Sequence, residues 1–204
     1  MSLVALYCKL EGVKRYSLIM EFADGGDMYA DIVKNQKEGR QPEEDWVWKM
    51  VIQMFRGLKA LHNLKIQHRD MKSANVFLCS EKQVAKIGDL NVSKVAKKGL
   101  LYTQTGTPYY ASPEVWRDNP YDHKSDIWSL GCVIYETVTL KPPFRADTME
   151  ALNKKVQAGK YPRISGTYSI DLANLIRSCL QVQPHLRPDC DKILNMTSVH
   201  KRIV

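Results

Sequence analysis

The sequence predicts an α+β chain that is mostly helical, and three observations carry that expectation. Near the start, residues 3–10 and 16–22 form two strand-like stretches joined by Glu11-Gly12-Val13-Lys14-Arg15, as a hairpin requires. Val47, Met50, Met54, Leu58 and Leu61 recur at spacings of three and four, the single apolar stripe of a long helix. Ile127, Trp128, Leu130, Cys132, Val133, Ile134 and Tyr135 make a segment that is apolar nearly all round, which belongs at the centre of a core.

The remaining elements follow in order. Ala23-Asp24-Gly25-Gly26 reads as a turn and residues 27–37 as a short helix. Pro42 stands where the first turn of a helix tolerates proline, and Glu43, Glu44 and Asp45 suit the positive end of that helix's dipole. Strand-like pieces at 75–79 and 83–88 flank Ser80-Glu81-Lys82. A long irregular stretch runs from 91 to about 113, a length usually reserved for functional or mobile loops. Asp122 can cap the next helix, and helical segments near 148–158, 169–180 and 189–196 complete the second half. The helix through Phe55 and the helix at 127–138 are expected at the buried centre. No repeat, low-complexity tract or linker interrupts the chain, so one domain is expected.

With 204 residues, 44% apolar and 25% charged, the composition is that of an ordinary globular domain with a substantial core. No apolar run reaches the roughly 18 residues of a membrane span. The longest, 127–140, is broken by Ser129, Gly131, Glu136, Thr137 and Thr139. Met1-Ser2-Leu3-Val4 has no basic region followed by an apolar stretch, so a secretory signal is not expected. The cysteines, Cys8, Cys79, Cys132, Cys179 and Cys190, are odd in number and include no Cys-x-x-Cys pair, which argues against a disulfide framework or a zinc site and for the cytoplasm. The net charge of +8 suits either a basic face for nucleic acid or acidic membrane, or scattered solvated lysines. The tightest cluster, Lys94, Lys97 and Lys98, has no aromatic interleaving, so no nucleic-acid partner is expected.

The chemistry concentrates in His68-Arg69-Asp70-Met71-Lys72-Ser73-Ala74-Asn75, followed after the second strand pair by Lys86-Ile87-Gly88-Asp89. Taken singly these residues say little, since a lone aspartate is usually a cap and a lone asparagine usually sits in a turn. Together they supply what phosphoryl transfer asks of a protein: an acceptor for a hydroxyl proton, cations on the phosphates, and oxygen ligands for magnesium. Asp70 fits the first need, Lys72 the γ-phosphate, and Asn75 and Asp89 are hard oxygen ligands. The set resembles the protein kinase family, whose catalytic loop H-R-D-x-x-x-x-N precedes D-F-G. Gly106-Thr107-Pro108-Tyr109-Tyr110-Ala111-Ser112-Pro113-Glu114 is similar to the end of an activation segment, with Ser-Pro-Glu for Ala-Pro-Glu. Ser125-Asp126-Ile127-Trp128-Ser129-Leu130-Gly131 is similar to the central helix of the large lobe, and Arg187-Pro188 to the arginine that pairs with the segment-ending glutamate, here Glu114. The resemblance covers essentially the whole chain.

It implies an α+β protein-kinase-like fold represented mainly by the helical C-terminal lobe, with 1–22 a remnant of the small lobe and 23–204 the large lobe. Lys72, two residues after Asp70, and Thr107, placed to touch both, imply serine/threonine specificity. Residues 20–28, 68–78 and 106–114 resemble the NIMA-related (Nek) kinases, a group associated with cell cycle, centrosome and cilium. That resemblance implies ATP and Mg2+ as cofactors and proteins with serine or threonine as substrates. It also implies cytoskeletal or ciliary partners, and residence in the cytoplasm, at the centrosome or cilium, or in the nucleus. The hinge would be Glu21, Phe22 and Ala23 behind a gatekeeper Met20, with Asp27 toward the ribose. His68, Glu114, Asp126 and Arg187 would be structural. Thr103 is expected as an activating phosphosite paired with Arg69, with Thr105 the competing site. Val92, stiff and β-branched, is expected to favour threonine acceptors.

Two departures qualify the expectation. Asp89-Leu90-Asn91 replaces Asp-Phe-Gly; the metal ligand survives, Leu90 can still pack, and Asn91 tolerates left-handed dihedrals better than most residues, so activity is expected to survive. No two glycines stand two residues apart, so G-x-G-x-x-G is absent. Val84-Ala85-Lys86-Ile87 is superficially like V-A-I-K but directly precedes Asp89, and Lys86 reads as an ordinary strand lysine. A chain that starts at Met1 lacks the phosphate roof, and two readings follow. One is part of an active serine/threonine kinase that needs a small lobe for activity; the other is a truncated, non-catalytic pseudokinase or interaction module.

Overall fold

The computed structural model describes residues 6–9, 16–19, 21–89 and 108–203. β1 (Leu6–Lys9) and β2 (Tyr16–Ile19) pair antiparallel with Leu6 opposite Ile19 and Lys9 opposite Tyr16, which is the expected hairpin. Glu21 and Phe22 fall outside the strand that the sequence suggested for them. The chain instead turns at Asp24 and Gly25 and lies against a later strand, β3 (Val76–Cys79). The Gly25 amide donates to the Leu78 carbonyl at 2.9 Å, and the Leu78 amide to the Gly26 carbonyl at 2.8 Å. A Cβ on Gly25 would stand 2.8 Å from the Leu78 carbonyl oxygen, so this approach of two backbones requires glycine.

α1 (Met28–Glu38) starts at Asp27, whose carboxylate accepts from the Ala30 amide at 2.8 Å, and ends at Gly39 in the left-handed region. α2 (Glu44–Asn63) buries Val47, Met50, Met54, Leu58 and Leu61, the stripe read from their spacing. Pro42 lies before the helix rather than in its first turn, because Glu43 is the cap; the Pro42 carbonyl instead accepts from the Tyr168 hydroxyl at 2.8 Å. β3 pairs antiparallel with β4 (Val84–Ile87) across a turn in which Ser80, Glu81 and Lys82 all have positive φ, 52°, 54° and 64°.

The second half of the chain is helical: α3 (Pro113–Trp116), α4 (His123–Thr139), α5 (Met149–Ala158), α6 (Ile170–Cys179), α7 (Cys190–Leu194) and α8 (Thr197–His200). α4 begins with a capping box in which the Asp122 carboxylate accepts from the Ser125 amide and the Ser125 hydroxyl faces the Asp122 amide. Its faces are buried nearly all round, as its composition requires. A Cβ on Gly131 would stand 2.7 Å from Cys179 Cβ, so this glycine lets α4 and α6 meet. Trp128 stacks on Phe144 with ring centroids 5.3 Å apart, and Phe55 and Trp128 are fully buried, as expected for the two central helices. α2 packs on β4, α4 and α7, so one core joins the elements on either side of the 64–75 loop. The helix expected at 189–196 is α7, which stops at Leu194. α3, α8 and the 3-10 turns Ser73–Asn75 and Pro184–Leu186 were not foreseen, because elements of one turn carry no periodicity. Among the described residues no helix is long and apolar enough to cross a membrane.

Candidate active site

The loop between α2 and β3 is held by one carboxylate. Asp126, in the first turn of α4, is fully buried, and a buried charge persists only when hydrogen-bonded. It accepts from the backbone amides of His68 at 3.0 Å and Arg69 at 3.1 Å, from His62 Nε2 at 2.8 Å and from the Tyr121 hydroxyl. The His68 ring is also buried. Its Nδ1 accepts from the Asp70 amide at 3.3 Å, which places the ring hydrogen on Nε2, and Nε2 donates to the Gly88 carbonyl at 2.9 Å. One ring thus ties the loop to the residue just before Asp89. Arg69 takes a positive φ of 66°, is exposed, and its guanidinium donates to Gln67 Oε1 at 3.4 Å.

Three expected residues meet directly. Lys72 Nζ donates to Asp70 Oδ2 at 2.9 Å. Asn75 Nδ2 donates to the Asp70 carbonyl at 2.7 Å and to Asp70 Oδ2 at 3.3 Å. Both hydrogens of the Asn75 amide are therefore committed to Asp70, and its Oδ1 accepts no hydrogen bond among the described residues. Asp89 joins through the backbone: the Gly88 amide donates to the Asn75 carbonyl at 3.0 Å, and a Cβ on Gly88 would stand 2.6 Å from the Phe77 ring. Asp89 itself is exposed, with φ 56°. An amide oxygen and an exposed carboxylate suit magnesium, which takes few protein ligands and completes its shell with phosphate and water. Among the described residues no group of three His, Cys, Asp or Glu could hold a metal by itself.

The expected hinge residues lie beside β3 and β4, with no contact to the Asp70 cluster among the described hydrogen bonds. Phe22 is 85% exposed, and the Ala23 carbonyl accepts from the Gly26 amide at 3.4 Å. Asp27 caps α1. Glu21 pairs with Lys86, and its hydrogen bond holds the Lys86 ammonium above the usual lysine value. Lys86 lies in β4, the strand before Asp89, as expected, and its ion pair links β4 to the segment that follows β2. Met20, Leu90, Asn91, Val92, Thr103, Thr105 and Thr107 lie outside the described residues.

The expected pairing of Glu114 with Arg187 is present and buried. Arg187 Nη1 and Nη2 donate to the two Glu114 oxygens at 2.7 and 2.8 Å, a bidentate geometry. The Ser125 hydroxyl adds a third bond to Glu114 at 2.7 Å, and the guanidinium lies 4.9 Å from the centre of the Trp128 ring. Burial alone would raise the Glu114 carboxyl, but Arg187 and Ser125 hold it below the ordinary glutamate range.

A second network escaped the sequence. The Tyr110 hydroxyl donates to Glu136 Oε2 at 2.6 Å and lies 2.9 Å from the Ser73 hydroxyl, connecting α4 to the loop that carries Asp70. Among the described residues no cation accompanies Glu136 in this network, and burial pushes its carboxyl up against the lowering effect of Tyr110 and Ser73. A carboxyl with a raised folded pKa favours the fold below its unfolded pKa, and that advantage fades as pH rises through the folded value. Glu136→Gln keeps an acceptor for Tyr110 and removes the titration. The difference in urea midpoint between the two chains should therefore move in the variant's favour from about pH 4 to about pH 7. A pH-independent difference would show that Glu136 titrates alike in the folded and unfolded chain, and a shift in the wild type's favour that it stays ionised in the fold.

Comparison with known proteins agrees with this geometry. A family model described as protein kinase domain matches residues 1–198. The chain is 39% identical over 195 residues to serine/threonine-protein kinase Nek5 of Homo sapiens, covering 95% of this chain and 27% of that protein. It is 39% identical over 188 residues to serine/threonine-protein kinase Nek1 of Mus musculus, covering 91% and 15%. It is 37% identical over 193 residues to probable serine/threonine-protein kinase nek2 of Dictyostelium discoideum, covering 93% and 46%. The chain thus spans less than half the length of each of these relatives. On a match that runs through every element from the hairpin to α8, the chain belongs to the protein kinase family and is related within it to the Nek kinases.

Proposed function

We propose that this chain supplies the catalytic face of an ATP- and Mg2+-dependent kinase that phosphorylates serine and threonine in proteins. The observation that carries the reading is the Asp70, Lys72 and Asn75 cluster, hydrogen-bonded within itself at 2.7 to 3.3 Å. Asp70 takes the proton of the substrate hydroxyl as its oxygen bonds to the γ-phosphorus and the bond to ADP breaks. Lys72, already beside Asp70, neutralises the γ-phosphate. Asn75 and Asp89 would hold magnesium, which when bound would offset charge on the phosphates. The backbone of Glu21, Phe22 and Ala23 receives adenine behind Met20, and the Asp27 oxygen not used in capping faces the ribose. Thr107 touches Asp70 and Lys72, and a phosphate on Thr103, or on Thr105, pairs with Arg69. His68, Asp126, Glu114 and Arg187 hold this machinery in place. Residues 1–22 belong to the small lobe and 23–204 to the large lobe. Cytoskeletal or ciliary proteins, met in the cytoplasm or at the centrosome or cilium, are the proposed partners.

The test is a fusion that places a Nek small lobe ahead of residue 3, given labelled ATP and peptides bearing Ser, Thr or Tyr. Expected are phosphoserine and phosphothreonine, no phosphotyrosine, and no transfer when magnesium is chelated. Asn75→Ala should raise the magnesium concentration needed for half-maximal rate. Phosphotyrosine as the main product would overturn the specificity. Complete absence of transfer from a folded fusion would leave the chain as a non-catalytic interaction module.

A further inference from the structure

Away from the Asp70 cluster, a groove of about 740 Å3 lies between the C-terminal end of α5, the segment after it, α6 and the turn before Arg187. Lys160, Arg163 and Arg177 line it, and among the described residues no carboxylate does. Lys160 and Arg163 form no ion pair among the described residues, and Arg177 donates to the neutral Asn174 side chain at 3.0 Å. Tyr161, Val182 and Leu186 supply the apolar part, and Leu186 is 57% exposed, an unusual state for leucine. The walls are fixed from below. Gly159 ends α5 with φ 62°, and a Cβ there would stand 2.5 Å from Val182 Cγ2, so floor and rim are in contact. The buried Arg187 donates to the Gln181 carbonyl at 2.7 Å and the Val182 carbonyl at 3.2 Å, which locks the rim. A surface already held in shape loses little freedom on binding.

We propose that this groove docks an acidic peptide segment of a partner protein, with one bulky aliphatic residue set between Glu and Asp. The aliphatic side chain lies on Leu186 and Val182, and the carboxylates face Lys160, Arg163 and Arg177. Charge complementarity selects the occupant: a cationic rim without acids favours an anionic partner, and the exposed leucine favours one with an apolar side chain. A phosphate backbone answers the first demand and not the second. The inference goes beyond the catalytic reading and shares with it only Arg187, which here supports the rim.

The probe is a short fluorescein-labelled peptide with a single Leu between Glu and Asp residues, titrated against the full chain and followed by anisotropy. Binding is expected, weakening with added salt. Lys160→Glu with Arg163→Glu should weaken it by at least about tenfold, and so should Leu186→Ala or Leu→Ser in the peptide. A peptide with Lys in place of the acids should bind the doubly reversed variant better than the original chain. Both substituted regions are exposed, and unchanged circular dichroism and urea midpoint confirm the fold. No binding at peptide concentrations near 1 mM, equal affinity across the variants, or equal binding of a leucine-free acidic peptide would overturn the proposal. So would tighter binding of a single-stranded oligonucleotide through the same three side chains.

Discussion

Asp70→Asn in the small-lobe fusion lowers the rate of phosphate transfer by about 10² to 10⁴, the range that a positioned proton acceptor contributes. The variant is informative because asparagine keeps the shape. Its side-chain oxygen can still accept from Lys72 and Asn75, which now meet Asp70 at 2.9 and 3.3 Å, so the loop has no cause to move. What disappears is a group able to take a proton. The loss should fall on kcat, with KM for ATP little changed, because the nucleotide is held by other groups. The urea midpoint should shift by less than about 0.5 kcal/mol equivalent, as for a change outside the core. Equal rates in the two fusions would remove Asp70 as the catalytic residue. A loss accompanied by unfolding would instead assign Asp70 a structural part.

The largest stability effect is expected at the buried pair of Glu114 and Arg187. Arg187→Met leaves the Glu114 carboxylate buried without its cation, and deprives the Gln181, Val182 and Lys124 carbonyls of the Arg187 donor. Breaking a buried pair from one side typically costs about 3 to 5 kcal/mol, whereas replacing both partners by apolar residues costs far less. Arg187→Met should therefore be markedly less stable than the combination Arg187→Met with Glu114→Leu, as read from urea unfolding. The pair also predicts acid sensitivity. Glu114 is held below its ordinary range in the fold, so its contribution is fully present above the unfolded pKa and is lost as pH falls through the folded one. In the double variant that part of the acid limb should vanish. A single variant no less stable than the double would mean that the rim, not the pair, dominates this region.

What the sequence revealed follows from distance along the chain. Asp70, Lys72 and Asn75 lie within one short loop, so linear spacing sufficed to group them. α2 and α4 were legible because helices of this length repeat their periodicity several times. Pro42 was misplaced by two positions, since a proline just before a cap and one just after it look alike in sequence. The network of Ser73, Tyr110 and Glu136 joins residues 37 and 26 positions apart, and the Glu21 and Lys86 pair spans 65. No local signal connects such residues, and each alone reads as an ordinary core or surface residue. The groove beside Leu186 was hidden for the same reason: its cations come from two separate segments, and the turn that carries Leu186 from a third.

The way the catalytic loop is fastened has a consequence for how this chain tolerates mutation. Two of the donors to Asp126 are backbone amides, those of His68 and Arg69. A backbone N–H is present whatever side chain its residue carries, proline excepted. Change at position 69 therefore leaves this half of the attachment unaltered, and drift there is limited only by the left-handed backbone at Arg69. Position 126 has no such latitude, because a single carboxylate supplies every acceptor. Robustness is thus distributed over the loop while fragility is gathered at one residue of α4, 56 positions beyond Asp70 in sequence and part of a different element.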